Sequence, residues 1–336
     1  MAELIFPANY DPKLTLRETQ RAIKMIKDTF QTELALALNL DRITAPIIVK
    51  EGSGINDDLN GVERPVAFPI KDMDEQRAEV VHSLAKWKRY ALYKYGFSIG
   101  EGIVTDMNAI RRDENTDAIH SIYVDQWDWE KVITKEQRTE EYLREVVTTI
   151  YNAMKNLGDY VNRLYRGIQT ELPNEIFFVT TQELEDMYPD ITGSEREKAY
   201  VKEHHTACIM QIGGKLRSGK PHDGRAPDYD DWDLNCDIFF WDALLQRPLE
   251  ISSMGIRVDE AALDRQLTEA GCDHRRELPF HKMLLAGELP LTIGGGIGQS
   301  RLSMLMMGCA HIGEVQSSVW DQETMDACEK AGIRLL

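Results

Sequence analysis

The sequence predicts an α+β fold, with an antiparallel sheet and helices packed to one side of it. Apolar runs of strand length recur in the second half of the chain, at 176–179, 207–210, 238–241 and 256–258. The links between them are mostly short or irregular, whereas parallel strands require regular crossover helices. Two longer stretches repeat apolar residues at helical spacing. The chain has 336 residues, so we expect one domain over 1–336 with a helical insertion near 134–205.

The first long helix is predicted to begin after Thr15. Thr15 and Glu18 have the spacing of a capping box. Apolar residues then recur at helical spacing: Ile23, Ile26, Phe30, Leu34 and Ala37. We expect this helix to end near Asn39. The segment 43–49 is rich in β-branched residues and contains Pro46, which predicts an edge strand at the boundary of a sheet, available for pairing in a dimer.

A second long helix is predicted to begin at Thr134, which forms a capping-box pattern with Gln137. Its apolar stripe consists of Leu143, Val146, Val147, Ile150, Met154, Leu157, Val161 and Leu164. Such a stripe is typical of a helix that buries one face. Because strands are predicted on both sides of it, we interpret the helix as an insertion between strands.

Composition excludes several classes of function. The chain has 39 basic and 56 acidic residues and a net charge of -17, which disfavours binding to nucleic acid. The five cysteines are scattered without paired spacing, so neither a disulfide framework nor a zinc site is expected. The start of the chain lacks the features of a leader, and no run of eighteen apolar residues occurs. We expect a cytoplasmic protein without membrane contact.

Charged and small polar residues interrupt the apolar pattern in several segments. In 79–88 a strand leads into a helical turn that carries Ser83 and Lys88; a solvated surface lysine is an equally good interpretation. In 107–130 two strands form a hairpin, and alternation puts Gln126 and Asp128 on one face. Arg111 at the base of its loop is suited to bidentate binding of a phosphate, although such charged clusters are more often surface turns.

Two later segments carry acidic residues and glycines. Asp237 and Glu250 lie on consecutive predicted strands, and an antiparallel pair would bring their carboxylates together. Hard oxygen ligands of this kind favour Mg²⁺ bridging nucleotide phosphates; a solvated or calcium-type acidic loop is the alternative. Glycines at 294–296 and Gly298 permit close backbone approach, and a helix carrying Arg301 in its first turn follows. The segment lacks the Gly-Lys-Ser/Thr of a phosphate-binding loop.

Taken together, these segments resemble the ammonia-dependent asparagine synthetases, the A-type aspartate–ammonia ligases. The resemblance lies in the runs 81–88, 123–130, 225–232, 252–257 and 294–301. It implies a homodimer with the antiparallel sheet of class II aminoacyl-tRNA synthetases. Arg111 and Arg301 match the arginines of the second and third class II motifs, and Pro46 matches the proline of the first.

The resemblance also implies a reaction and its residues. ATP would be bound by Arg111, Asp237, Glu250, Ser252 and Arg301, and Mg²⁺ would be held by Asp237 and Glu250. L-Aspartate would react through its side-chain carboxylate to give β-aspartyl-AMP, and ammonia would then displace AMP.

Individual roles follow from the same resemblance. Lys88 and Arg257 are expected to bind the carboxylate that is not activated, and Gln126 the reacting carbonyl. The substrate's ammonium or the incoming ammonia is assigned to three carboxylates: Asp57, Asp128 and Asp230. Ser83 and Ser253 are expected to act as neutral hydrogen-bonding partners. The catalytic set is therefore Arg111, Gln126, Lys88 and Asp57.

The sequence departs from the family pattern beside the proposed metal site. The stretch between Trp232 and Asp237 is shorter than in bacterial members, so a short loop is expected there, and Cys236 stands where a glycine is usual. Three other interpretations are open: an aspartyl- or asparaginyl-tRNA synthetase, a non-catalytic paralogue, and a glutamine-dependent synthetase. The last requires an N-terminal nucleophilic cysteine, whereas the first cysteine is Cys208, so free ammonia is the expected nitrogen donor.

Overall fold

The fold is built on one eight-stranded sheet and a small three-stranded sheet. The computed structural model describes residues 6–7, 10–57 and 63–336. Its strands are β1 (Leu40–Arg42), β2 (Ile48–Lys50), β3 (Ala67–Ile70), β4 (Gln76–Val80), β5 (Gly102–Ile110), β6 (Tyr123–Val132), β7 (Phe177–Thr180), β8 (Thr206–Met210), β9 (Asp230–Asp242), β10 (Arg247–Arg257) and β11 (Thr292–Gly298). Its α-helices are α1 (Leu16–Leu38), α2 (Ala85–Tyr95), α3 (Glu140–Leu164), α4 (Thr181–Met187), α5 (Gly193–His204), α6 (Glu260–Glu269), α7 (Pro279–Leu285), α8 (Gln299–Met307) and α9 (Gln322–Ala331).

The large sheet has the order β1-β5-β6-β11-β10-β9-β8-β7. The six central strands pair antiparallel, while β1 with β5 and β7 with β8 pair parallel at the two edges. The small sheet has the order β2-β4-β3 and is antiparallel. The α+β prediction is confirmed, and parallel pairing is confined to the edges of the large sheet.

The main hydrophobic core lies between one face of the large sheet and the helices α1, α3 and α8. Trp127 and Trp129 of β6 are fully buried on this face, and the Phe30 ring of α1 lies 4.8 Å from that of Trp127. Successive strand residues point to opposite faces, so Gln126, Asp128 and Glu130 lie on the other side. That second face carries the candidate site.

The first helix begins as predicted. Thr15 and Glu18 form a capping box, and the helix ends at Asn39 in the left-handed conformation. The predicted edge strand at 43–49 is confirmed only at its end, because residues 48–49 belong to the edge strand β2 whereas residues 43–47 link the two sheets. Pro46 lies in this link and has no amide hydrogen to donate to a strand ladder.

The predicted start of the second long helix is also wrong. Thr134 and Gln137 do bond each other reciprocally, but within the turn before the helix. The helix α3 begins at Glu140, and Thr139 caps it by accepting the Tyr142 amide. In the described part of the chain, no helix combines the length and apolar character needed to cross a membrane.

Candidate active site

Two adjoining cavities open on the polar face of the large sheet. The outer one, which we call the large cleft, has a volume of about 400 Å³. The inner one, which we call the inner pocket, has a volume of about 80 Å³. The residues that line both are Arg111, Gln126, Tyr229, Ser253 and Gly296. A molecule in the cleft and a smaller one in the pocket would therefore meet at these shared residues.

A buried lysine lies at the base of the inner pocket. Lys88 of α2 is 1% exposed, and its Nζ donates to the Gly295 carbonyl at 2.8 Å. The same Nζ lies 3.5 Å from Asp128 and 3.9 Å from Glu130. Burial lowers the pKa of Lys88, and the Asp128 carboxylate opposes this change. Burial also disfavours the charged form of Asp128, and it therefore raises the pKa of this carboxyl group.

The Arg257 side chain is buried and lines the inner pocket. Its Nη2 donates to the Glu130 carboxylate at 2.8 Å, and its Nη1 donates to Asp230. Burial alone would lower the pKa of Arg257, but Glu130 and Asp230 outweigh burial and raise it. The guanidinium therefore stays charged, and these two carboxylates hold its planar fork in a fixed position.

Glycines on β11 make room for these charged side chains. Gly294 pairs with Glu130 of β6, and Gly296 pairs with Asp128. A β-carbon on Gly294 would overlap the Glu130 carboxylate, and one on Gly296 would overlap Gln126 and Asp128. The predicted close approach at this glycine run thus has a physical cause, because no side chain fits between β11 and the polar residues of β6.

Asp57 reaches the inner pocket from the segment that follows β2 of the small sheet. It is 2% exposed, and its carboxylate accepts a hydrogen bond from Ser83 Oγ at 3.1 Å. His82 Nδ1 lies 2.9 Å from the Asp57 carbonyl oxygen. These contacts hold the carboxylate at the pocket wall.

The large cleft contains two arginines. Arg111 follows β5, and its side chain has no ion-pair partner within the described ranges. Its guanidinium is therefore available to an anion. Arg301 of α8 donates to the Glu250 carbonyl at 3.0 Å, and its Nη1 lies 3.9 Å from the Glu250 carboxylate.

Asp237 and Glu250 face the large cleft from the neighbouring strands β9 and β10. Burial raises the pKa of Asp237 to about 7, with Arg225 opposing this rise and Glu250 adding to it. Arg225 donates to Asp237 and to Ser253 Oγ, each at 2.6 Å. Across the described residues, no three His, Cys, Asp or Glu side chains form a metal-binding group. A cation at this carboxylate pair must complete its coordination with ligand or water oxygens.

Solved structures with the same fold are aminoacyl-tRNA synthetases. The asparaginyl-tRNA synthetase of Entamoeba histolytica in complex with asparaginyl-adenylate has a TM-score of 0.61 at 14% identity, over 90% of this chain and 66% of that chain. This chain thus spans just under two thirds of that synthetase. The asparaginyl-tRNA synthetase of Pyrococcus horikoshii complexed with asparaginyl-adenylate has a TM-score of 0.60 at 15% identity, over 91% and 72%. These likenesses establish the class II synthetase fold alone.

Sequence similarity decides the family. The family model described as aspartate-ammonia ligase matches residues 17–332. A protein of that name from Clostridium tetani (strain Massachusetts / E88) is 57% identical over 333 residues, 99% of this chain and 98% of the relative. Another from Clostridium perfringens (strain 13 / Type A) is 57% identical over 336 residues, 100% of each. The chain belongs to the aspartate–ammonia ligase family. It is an enzyme that makes asparagine from aspartate with the use of ATP.

The ligase brings most of the predicted site residues together. The inner pocket is lined by all eight residues assigned to the amino-acid substrate: Asp57, Ser83, Lys88, Gln126, Asp128, Asp230, Ser253 and Arg257. The large cleft is lined by four of those assigned to ATP: Arg111, Asp237, Glu250 and Arg301.

Ser252 does not line either cavity of the ligase. It pairs with Ile297 of β11 and is 1% exposed, on the core side of β10. Ser253 pairs with Asp237 and faces the cleft. An irregularity in the pairing between Glu250 and Ser252 shifts the register. The Ser252 side chain therefore lies outside both cavities, and its contact with the nucleotide stays a prediction.

The expected short loop between Trp232 and Asp237 is not present. These residues belong to the continuous strand β9. Cys236 is fully buried, pairs with Met254 and belongs to the core, whereas Asp237 faces the cleft. The departure at Cys236 therefore lies on the opposite side of the sheet from the carboxylate pair.

Two residues at the junction of the cavities were missed as site residues. Arg225 bonds Asp237 and Ser253, and Tyr229 lines both cavities. Both lie in the run 225–232, which was recognised as a family motif without a role for these side chains. Their contacts depend on how this segment packs against β9 and β10, which residue spacing does not reveal.

Proposed function

We propose that the enzyme joins free ammonia to aspartate through a β-aspartyl-AMP intermediate, in a reaction that requires Mg²⁺. The observation that carries this proposal is the junction of the two cavities at Arg111 and Gln126. ATP fits the large cleft by size, with Arg111, Arg225 and Arg301 in its lining as partners for the phosphates, and aspartate fits the inner pocket. The atoms that react would then meet at a guanidinium and an amide.

In the first step, an oxygen of the aspartate side-chain carboxylate attacks the α-phosphorus of ATP. A new O–P bond forms, the bond between the α-phosphorus and the bridging oxygen breaks, and pyrophosphate leaves. Arg111 binds the α-phosphate bidentately and stabilises its developing charge, and Arg301 binds the adenosine or the terminal phosphates. Arg111 lines the cleft without an ion-pair partner among the described residues, and its buried Nε has no hydrogen-bond partner there, which supports this role.

Asp237 and Glu250 fit a magnesium ion. Their carboxylates face the same cleft, and Asp237 is buried beside Glu250, an arrangement that a divalent cation would relieve. The bound ion would neutralise phosphate charge. Arg225, which bonds Asp237, would exchange this carboxylate for a phosphate oxygen.

Aspartate binds with its α-carboxylate toward Lys88 and Arg257, which are buried cations at the base of the pocket. Its ammonium is paired with Asp230 or Asp128, and its side-chain carboxylate points toward Gln126 and the cleft. The Gln126 amide donates to the reacting carbonyl as it gains negative charge. This orientation activates the side chain in place of the α-carboxylate.

In the second step, the ammonia nitrogen bonds to the acyl carbon, and the bond from that carbon to the AMP oxygen breaks. Asp57 accepts the proton that the nitrogen loses. Its buried carboxylate, bonded to Ser83, supports this assignment because it lies at the wall of the inner pocket.

The direct test uses purified enzyme with ATP, Mg²⁺, ammonium and aspartate labelled with ¹⁸O in its side-chain carboxylate. We expect asparagine, pyrophosphate and AMP that carries one ¹⁸O atom. Formation of ADP, or of unlabelled AMP, would exclude the adenylate. Glutamine replaces ammonium in a parallel reaction and should give no asparagine. A further reaction with tRNA and asparagine or aspartate should give no aminoacyl-tRNA.

We also propose a cytoplasmic homodimer. The resemblance to class II synthetases implies a dimer, and Ile47 and Ile48 beside Pro46 are 58% and 42% exposed. Apolar residues exposed in this way are typical of an association surface. All five cysteines are free, which suits a reducing compartment. Light scattering after gel filtration should give twice the mass of the 38.4 kDa chain.

A further inference from the structure

A third cavity, which we call the rear pocket, lies behind the inner pocket and has a volume of about 110 Å³. Its outer wall includes Lys50 and Gly52, which are exposed, and its floor includes Lys86, Asp228 and Arg275, which are buried. It shares no lining residue with the large cleft or the inner pocket. The mechanism above uses none of these residues.

We propose that the rear pocket is the port through which ammonia reaches the aspartyl-adenylate. This inference rests on the proposed function. Once ATP fills the large cleft and aspartate the inner pocket, the route through the cleft is blocked by the substrates. Ammonia must then reach the acyl carbon by a second path.

The two pockets are lined by neighbouring residues of the same three segments. The inner pocket is lined by Asp57, Lys88 and Asp230, and the rear pocket by Asn56, Lys86 and Asp228. Backbone and side chains of these three segments form the layer that separates the two pockets. The loop 50–57 runs from the solvent-exposed mouth to the buried Asp57. Ammonia that crosses this layer arrives beside the carboxylate proposed to take its proton.

The floor of the rear pocket offers a buried hydrogen-bond acceptor. Asp228 is fully buried, and its Oδ2 lies 2.9 Å from Lys86 Nζ, from Arg275 Nη1 and from His281 Nε2. Its second oxygen, Oδ1, has no hydrogen-bond partner in the described part of the chain. A buried carboxylate oxygen without a partner is rare. It can accept an N–H from ammonia.

The charge of the floor selects the neutral form of the nucleophile. Burial raises the pKa of Asp228, but Lys86, His281 and Arg275 outweigh burial and hold it well below the usual range. Asp228 therefore stays charged, and two cations surround this one anion. Ammonium would be repelled by Lys86 and Arg275, whereas neutral ammonia would not. Ammonium would lose a proton to solvent at the mouth of the rear pocket. The neutral ammonia that enters has a lone pair and can attack the acyl carbon.

The test is to block the rear pocket from its wall. In Ser53→Phe the added ring occupies the rear pocket. Ser53→Ala is the matched control, because each of these two variants loses the hydrogen bond that Ser53 Oγ accepts from the Ile55 amide. Leu278→Phe blocks the pocket from another lining position and replaces Ser53→Phe if that variant fails to fold. Two rates are measured with ammonium chloride as the nitrogen source: asparagine formation, and aspartate-dependent exchange of pyrophosphate into ATP.

We expect the KM for ammonium to rise at least about tenfold in the blocked variants, with exchange unchanged and Ser53→Ala like the wild type. Pyrophosphate exchange needs ATP and aspartate but no ammonia. It therefore distinguishes a defect in ammonia entry from a defect in the binding or activation of aspartate. An unchanged KM for ammonium in the blocked variants would contradict the proposed port. An equal loss of asparagine formation and of pyrophosphate exchange would contradict it as well. If the wild type shows no exchange, the adenylate of the proposed function is wrong instead.

Discussion

Gly294 and Glu130 lie opposite each other on β11 and β6, and the Glu130 carboxylate occupies the space that a side chain at Gly294 would need. From this position Glu130 accepts a bifurcated hydrogen bond from Arg257 Nε, one hydrogen bond from Nη2, and another from Thr292 Oγ1 at 2.7 Å. Burial raises the pKa of Glu130, but Arg257 outweighs burial and lowers it. The glycine thus determines where the arginine of the inner pocket lies.

Gly294→Ala should therefore damage the inner pocket. The added methyl group pushes Glu130 away and Arg257 with it, and overpacking of this kind costs about 1–3 kcal/mol of stability. We expect a lower melting temperature and a higher KM for aspartate. Gly214→Ala is the control, because a β-carbon there meets nothing within 4 Å. Wild-type aspartate binding in Gly294→Ala would contradict this account of Glu130.

Arg111→Ala should abolish most adenylate formation while leaving the fold intact. The side chain lines the junction of the two cavities, and removal of one such charged donor costs about 10²- to 10³-fold in rate. Aspartate-dependent pyrophosphate exchange measures this step. Arg112→Ala is the matched control, because the neighbouring arginine is exposed and lines neither cavity. Equal exchange rates in the two variants would refute the role of Arg111.

Lys88→Met should weaken aspartate binding without affecting ATP. The lysine is buried beside Asp128 and Glu130, and loss of one partner of a buried charge pair costs about 2–5 kcal/mol. We expect the KM for aspartate to rise by about 30-fold or more, at the lower end of that range. The dissociation constant of ATP, measured by calorimetry without aspartate, should stay the same. Lys94→Met, on an exposed position of the same helix, should behave as the wild type.

Features that depend on neighbouring residues were predictable from sequence. The capping box of Thr15 and Glu18 is one example. The alternation that separates Gln126 and Asp128 from the core tryptophans is another. Both follow from the repeat of a helix or strand, so they need no knowledge of distant contacts. The family motifs then predicted that residues far apart in the sequence belong to one site.

Features that depend on pairing between strands were not predictable in this way. Ser252 and Ser253 are adjacent and chemically identical, and only the irregular pairing near Glu250 decides which one faces the cleft. Thr134 and Thr139 both carry capping signals, and packing of the chain selects the second. In each case the local signal allows two outcomes, and tertiary contacts select one.

Asp237→Asn should raise the Mg²⁺ concentration needed for activity. A neutral amide is a weaker ligand than a carboxylate for a hard cation, so half-maximal activity should require about tenfold more Mg²⁺ or more. The measurement is a Mg²⁺ titration of pyrophosphate exchange at fixed ATP and aspartate. Asp233→Asn, on an exposed position of the same strand, is the control. An identical Mg²⁺ dependence in both variants would remove Asp237 from the metal site.

Stability should fall in mild acid because of His311. This histidine is fully buried, its Nδ1 accepts from the Gly313 amide at 3.0 Å, and its ring lies 4.7 Å from that of Trp320. Burial lowers the pKa of His311 from 6.5 to about 4. The unfolded chain therefore takes up a proton first as the pH falls. The contribution of neutral His311 is fully present above pH 6.5 and is lost as the pH approaches 4, by about 3 kcal/mol.

Urea unfolding between pH 7.5 and pH 4.5 measures this loss. The variant His311→Gln cannot titrate, so it should be less stable than the wild type at pH 7.5 but lose less stability on acidification. His274→Gln, at an exposed histidine, should keep the wild-type slope. If His311→Gln loses as much stability on acidification as the wild type, the acid sensitivity comes from other groups. Protonation of His311 is then not the cause of the loss of stability.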